Sequence, residues 1–130
     1  MMGDAFEDRA TYTAAQPEAT YISELLADDR FIAIAAFEDS TVVGGLAAYV
    51  LPKFEQARRE MYLYDLAVAA PFRRKGVASA LITALRDEAA ACGAYVIFVQ
   101  ADPPDAPAVA LYERFGTRED VYHFDIPVND

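Results

Sequence analysis

The apolar pattern of this chain changes period once, across the segment Leu66-Ala-Val-Ala-Ala-Pro-Phe-Arg-Arg-Lys-Gly-Val-Ala78, and no other feature restricts the fold as much. Ahead of it, residues 31–37, 42–51 and 61–68 are short runs of branched and aromatic side chains, which read as strands. Gly44-Gly45 inside the second run marks a bulge or a close backbone approach. Behind it, Val77, Ala80, Leu81, Ala84 and Leu85 recur at helical spacing, which predicts a helix over 76–92 ended by Gly93. Ala94-Tyr-Val-Ile-Phe-Val-Gln reads as a fourth strand, Pro107 opens a helix through Phe115 that Gly116 closes, and residues 121–126 read as a last strand. Near the start, Pro17 precedes a helical pattern with Ile22, Leu25 and Leu26 on one face. The order α-β-β-β-α-β-α-β predicts an α/β (α+β) fold, a mixed sheet with helices packed on it.

The segment itself runs from a strand through a basic loop with a glycine into a helix start. Backbone N–H groups of a first helical turn lack partners and carry partial positive charge. Gly76 and Ala78 lack bulk, and Arg73, Arg74 and Lys75 add counter-charge, so the pattern suits an anion, above all a diphosphate. Neither a Gly-Lys-Ser/Thr phosphate loop nor a GxGxxG fingerprint is present. The same residues also fit a charged loop that merely precedes a helix.

At 130 residues, against roughly 150 for a typical domain, the chain is expected to form one domain over 1–130, without repeats or linker-like stretches. With 55% hydrophobic residues it can bury a core. The apolar stretches fall short of the roughly 18 residues of a membrane span, and no basic run precedes an apolar one at the N-terminus. One cysteine, Cys92, allows no internal disulfide and no cysteine-based zinc site. A soluble, cytoplasmic protein without a metal is the expectation. The formal charge is −10, yet six of the eleven Lys and Arg residues lie between Lys53 and Lys75. An acidic surface repels nucleic acid and attracts cations, and a basic island within it suggests two ligands of opposite charge.

Taken together, Arg73-x-x-Gly76-x-Ala78 after a strand ending Leu-Ala-Val, a long helix, a strand, and a short helix reading Ala-Val-Ala-Leu-Tyr112-Glu-Arg-Phe-Gly resemble the GNAT superfamily of acetyl-CoA-dependent N-acetyltransferases. Phe31-Ile-Ala-Ile-Ala-Ala-Phe, Ala47-Ala-Tyr-Val-Leu-Pro-Lys-Phe-Glu-Gln, Tyr64-Asp-Leu-Ala-Val, Gly93-Ala-Tyr-Val-Ile, Val99-Gln-Ala-Asp and His123-Phe-Asp-Ile are similar to aminoglycoside 3-N-acetyltransferases of the gentamicin-acetylating type, from about Ala10 onward. The resemblance implies the GNAT fold, a mostly antiparallel mixed sheet flanked by helices, with a shortened N-terminus that lacks the family's first strand and part of its first helix. It implies acetyl-CoA as cosubstrate and an aminoglycoside amine as acceptor. It places Leu66, Ala67 and Val68 on the acetyl group and pantetheine arm, and Arg73, Arg74, Lys75, Gly76, Val77, Ala78 and Ser79 on the diphosphate.

Direct attack of an amine on a thioester needs a deprotonated amine, an N–H donor for the oxyanion and an acid for the thiolate. Tyr112 matches the family's acid; without the resemblance it reads as a tyrosine packed on the sheet. The base is open. His123 reads as a strand residue near a surface. Asp65 sits in an apolar strand, where a carboxylate is costly unless paired, and suits orienting or deprotonating the amine. Glu55, Asp102 and Asp105 are further partners for a cationic sugar, while Asp105 also suits a cap on the helix opened by Pro107. Acceptor sites of such enzymes often lie near subunit contacts, so a homodimer is compatible. The loop Asp102-Pro-Pro-Asp-Ala-Pro is richer in proline than the family's. Two other readings stand beside the aminoglycoside one: acetylation of a polyamine or other small amine, and a CoA-binding domain without catalysis.

Overall fold

The computed structural model describes residues 19–129, and the predicted Pro17 start of the first helix and the expected shortening of the N-terminus lie outside them. The chain divides into one compact unit ending at Gln100 and a second beginning at Ala101.

In the first unit, helix α1 (Ala19–Ala27) precedes strands β1 (Phe31–Glu38), β2 (Thr41–Pro52) and β3 (Arg59–Val68). A short 3-10 turn (Ala70–Phe72), helix α2 (Val77–Cys92) and strand β4 (Ala94–Val99) follow. The sheet order is β1-β2-β3-β4, antiparallel across the first two junctions and parallel across β3–β4. The parallel step needs a crossover, which α2 provides. This is the mixed sheet with packed helices that the pattern predicts, mostly antiparallel as the resemblance implies.

The core lies between the sheet and α2. A Cβ built on Gly44 would meet Val77 Cγ1 at 3.0 Å, which places Gly44 beneath α2. By alternation, Leu46, Ala48 and Val50 share that face, with register partners Leu63 and Met61 beside them. All five are buried, as are Leu81, Ile82, Leu85 and Ala89 on α2. Both readings of the glycine pair hold. β2 carries an extra residue, Val43, opposite the junction of Ala36 and Phe37, and Gly44 beside it is the close approach.

The second unit holds helix α3 (Ala106–Glu113), capped by Asp105, whose side chain accepts from the Ala108 N–H at 3.3 Å. The last predicted strand does not form: residues 117–127 run without helix, turn or bend, and join no ladder among the described residues. The apolar, β-prone composition is there, but a strand exists only where another supplies hydrogen bonds. Short i, i+2 contacts organise the run instead, Arg118 with Asp120 at 3.2 Å and His123 with Asp125 at 2.9 Å.

Candidate active site

The start of α2 has the form of an anion site. Gly76 adopts a left-handed φ of 83° and offers no side-chain cap to the first turn, which contains no acid. A Cβ at Gly76 would meet nothing within 4 Å, so backbone conformation alone favours glycine there. The first bond of the helix is Ala80 N–H to the Gly76 carbonyl, leaving the Val77 and Ala78 amides to a ligand or water. Arg74 also takes a positive φ, 64°. Arg73 Nε donates to the Val68 carbonyl at 3.0 Å, and Lys75 Nζ lies 5.5 Å from the Phe72 ring centre. These residues fit the diphosphate of a coenzyme A.

The basic island is not one patch. Lys53, Arg58 and Arg59 lie at the other end of α2, about 24 Å from its start by helical rise. Arg59 Nη1 donates to the Cys92 carbonyl where the helix ends, Arg58 stacks over Tyr95 at 4.1 Å, and Lys53 pairs with Glu55 at 3.0 Å. Those three serve the helix terminus and the β2–β3 loop.

Next to the anion loop the sheet opens. The β3–β4 ladder ends at Leu63 and Val99, while β3 continues to Val68. Ala69 N–H donates to the Val43 carbonyl, so residues 67 and 65 turn their peptide groups toward β2. By antiparallel alternation Leu66 and Val68 turn theirs away from β2, to the side where β4 no longer pairs. A strand edge with outward amides can hold an acyl carbonyl and an amide-bearing chain such as pantetheine. Ala67 lies between, facing β2.

Asp65 stands one residue before this edge. β3 carries an extra residue, Tyr64, opposite the Ala47–Ala48 junction, so Asp65 pairs with Ala47 and shares a face with Tyr49 and Tyr62, away from α2. Its carboxyl is half-buried, and burial pushes it above the usual carboxylate range. It has no hydrogen-bond or ion-pair partner among the described residues. Beside it, a hollow of about 320 Å³ opens between α1 and β1–β2 over a floor that includes Ala33, Ala35, Gly45 and Ala47.

In the first unit, Glu55 is placed apart from Asp65. Glu55 is exposed in the β2–β3 loop, six residues of strand or roughly 20 Å away. Its own backbone amide, then the Lys53 ammonium, hold its carboxyl below the ordinary range. In the second unit, Asp105 caps α3 and its N–H donates to the Asp102 carbonyl at 2.9 Å; Asp102 is exposed. Tyr112 is half-buried on α3, and burial first, then the Asp105 charge, raise its phenol above the ordinary tyrosine range. Such a phenol stays protonated at neutral pH and can donate. Among the described residues no cluster of His, Cys, Asp and Glu is arranged to hold a metal, and no helix is long and apolar enough to cross a membrane.

The sequence reading passed over the aromatic residues on the Asp65 face. Phe31, Tyr49, Tyr62 and Phe98 are successive register partners across all four strands. Tyr62 stacks on Phe98 at 4.6 Å, and Tyr64 touches both Tyr49 and Tyr62, at 5.9 and 5.4 Å between ring centres. The recurrence of tyrosine in Met61-Tyr-Leu-Tyr-Asp was the available signal, but simple alternation sends Asp65 to the opposite face from Tyr62 and Tyr64.

Residues 2–117 match the model of the acetyltransferase (GNAT) family. A search of curated proteins returned no match. Among solved structures, an aminoglycoside acetyltransferase from an uncultured soil metagenomic sample is 58% identical over 98% of this chain and 86% of its own, with a TM-score of 0.95. A second from such a sample, in complex with sisomicin, is 27% identical over 97% of this chain and 87% of its own, at 0.84. A ribosomal-protein-alanine N-acetyltransferase from Brucella melitensis biovar Abortus 2308 is 28% identical over 97% of this chain and 94% of its own, at 0.72. GNAT enzymes draw their acetyl group from acetyl-CoA. With the anion loop, the opened strand edge and a family match across almost all its length, the chain belongs to the GNAT acetyltransferase family.

Proposed function

We propose that the protein transfers an acetyl group from acetyl-CoA to the 3-amino group of gentamicin-type aminoglycosides, and that residues 1–130 act as one domain in doing so. The observation that carries this reading is the 58% identity, over nearly the whole chain, to an aminoglycoside acetyltransferase. Matching of the family model across both compact units supports the single domain.

In this reading the α2 start and Arg73, Arg74 and Lys75 hold the diphosphate, with Gly76, Val77, Ala78 and Ser79 supplying backbone. The Leu66 and Val68 amides hold the pantetheine arm and the thioester oxygen. The ammonium of the acceptor meets Asp65, which takes its proton. The freed nitrogen lone pair attacks the thioester carbonyl, a C–N bond forms and the oxygen becomes an oxyanion held by a β3 amide. Collapse breaks the C–S bond, the thiolate takes its proton from Tyr112, and the nitrogen gives up its second proton, which returns Tyr112 to the phenol while Asp65 releases the first to solvent. Asp102 and Asp105 add negative charge for the other ammonium groups, while Glu55, paired with Lys53 roughly 20 Å of strand from Asp65, adds only to the overall acidic field. The acidic balance, −10 overall, attracts such a polycation, and a homodimer and a cytoplasmic setting accord with the reading.

The test is free-thiol release from acetyl-CoA with gentamicin, sisomicin, kanamycin and spermidine in parallel, with mass spectrometry and NMR locating the acetyl group. Turnover fastest with gentamicin-type drugs, and a single acetyl on the 3-amino nitrogen, is the expected result. Acetylation of the 6′-amine overturns the regiochemistry, and turnover with spermidine alone overturns the acceptor class.

A further inference from the structure

The Asp65 face bears more aromatic surface than sheet packing uses. Tyr64 is 60% exposed, although two tyrosines flank it. It is the extra residue of β3, and that insertion puts Tyr64 and Asp65, neighbours in sequence, on the same side of the sheet. Tyr62 below is fixed twice, by its stack on Phe98 and by its hydroxyl, which donates to Gln100 Oε1 at 2.9 Å. Tyr49 belongs to the same group, within electrostatic reach of Asp65 and of Tyr21 on α1. A carboxylate without a cationic partner thus borders packed ring faces and a hollow whose floor includes Ala33, Ala35, Gly45 and Ala47.

We infer that Tyr64, held by Tyr49 and Tyr62 and placed by the β3 insertion beside Asp65, is a specificity-determining residue that receives the protonated amino sugar of the acceptor on its ring face. This inference rests on the proposed function and names the residues that read its substrate. A ring face attracts an ammonium through its quadrupole, and the attraction strengthens when water is displaced. It also covers the apolar face of a sugar ring. Asp65 supplies the formal charge, and Tyr64 selects an amine carried on a ring over one on a flexible chain, because a flat partner flanked by two other rings rewards a rigid ligand.

Tyr64→Leu and Tyr64→Phe test this, with sisomicin, spermidine and the uncharged sugar trehalose as probes. Calorimetric binding is measured alongside kcat and KM. The wild-type protein is expected to bind sisomicin well above spermidine and to ignore trehalose. Tyr64→Leu is expected to weaken sisomicin binding and raise its KM about 5- to 30-fold, leaving acetyl-CoA affinity and the melting temperature unchanged. Tyr64→Phe keeps the ring and is expected to stay within about threefold of wild type. Wild-type affinity in the leucine variant overturns the inference. A phenylalanine variant as weak as the leucine one does so too, since the hydroxyl would then be the recognised group. Equal binding of trehalose removes the role of charge. Sisomicin binding without turnover leaves the corner standing and overturns the proposed function alone, while failure of the wild type to bind any of the amines overturns the corner.

Discussion

Asp65 is paid for in stability. Its carboxyl is raised by burial alone, so the folded state holds its proton at pH values where the unfolded chain has released it. Stability therefore falls as pH climbs from the ordinary aspartate range through the raised value, and the penalty persists at neutral pH. Asp65→Asn is expected to melt higher than wild type at pH 7, with the gap closing below about pH 3.5, the unfolded carboxylate range. In the same variant kcat/KM should collapse and lose its acid limb; a lower melting temperature at pH 7 would contradict the burial argument. Tyr112→Phe is expected to lower kcat about 100-fold, with KM for both substrates retained, because only proton donation to the thiolate is removed. Asp65 was legible in the sequence because a charge within an apolar strand stands out. Its aromatic neighbours were not, because which residues share its face depends on an inserted residue that leaves no local mark.

Elements with local signals were read well. β1, β2, β3, α2 and β4 fall within a residue or two of their expected bounds, since alternation, helical spacing and Gly93 at φ 80° are written in neighbouring residues. Asp105 caps α3 as its spacing suggested. What failed was non-local. Residues 121–126 carry strand composition, but composition does not supply a partner. The split of the basic island between the two ends of α2 was likewise invisible, because residues 53–59 and 73–75 are close in sequence and a helix length apart in space. At Gly76 the local signal can be tested: Gly76→Ala forces a left-handed alanine, with an expected loss of about 1–2 kcal/mol of stability by denaturant titration. The loop can escape that strain only by leaving its φ of 83°, so acetyl-CoA KM should rise several-fold while acceptor binding, measured without CoA, is kept. An unchanged KM would mean that this amide arrangement is not what holds the diphosphate.

For the molecule as a whole, opposite charges are handled on different scales. The excess of acid is spread through the chain, while the positive charge proposed for CoA is confined to one loop at one helix end. That loop works only if α2 stands at the right height over the sheet, and Gly44 sets the height. A methyl group there would sit 3.0 Å from Val77 Cγ1 and 3.1 Å from the Ala67 carbonyl oxygen. Gly44→Ala is expected to cost about 1–3 kcal/mol of stability and to raise the KM for acetyl-CoA. Adding Val77→Ala should recover part of both; no recovery would mean that the strain falls on the strand. The spacing between sheet and helix is in effect a gauge, ground to the thickness of one hydrogen atom. Drift that fills the core more tightly, though it touches no ligand, would shift the start of α2 and with it the loop proposed for CoA, and weaken the enzyme from inside.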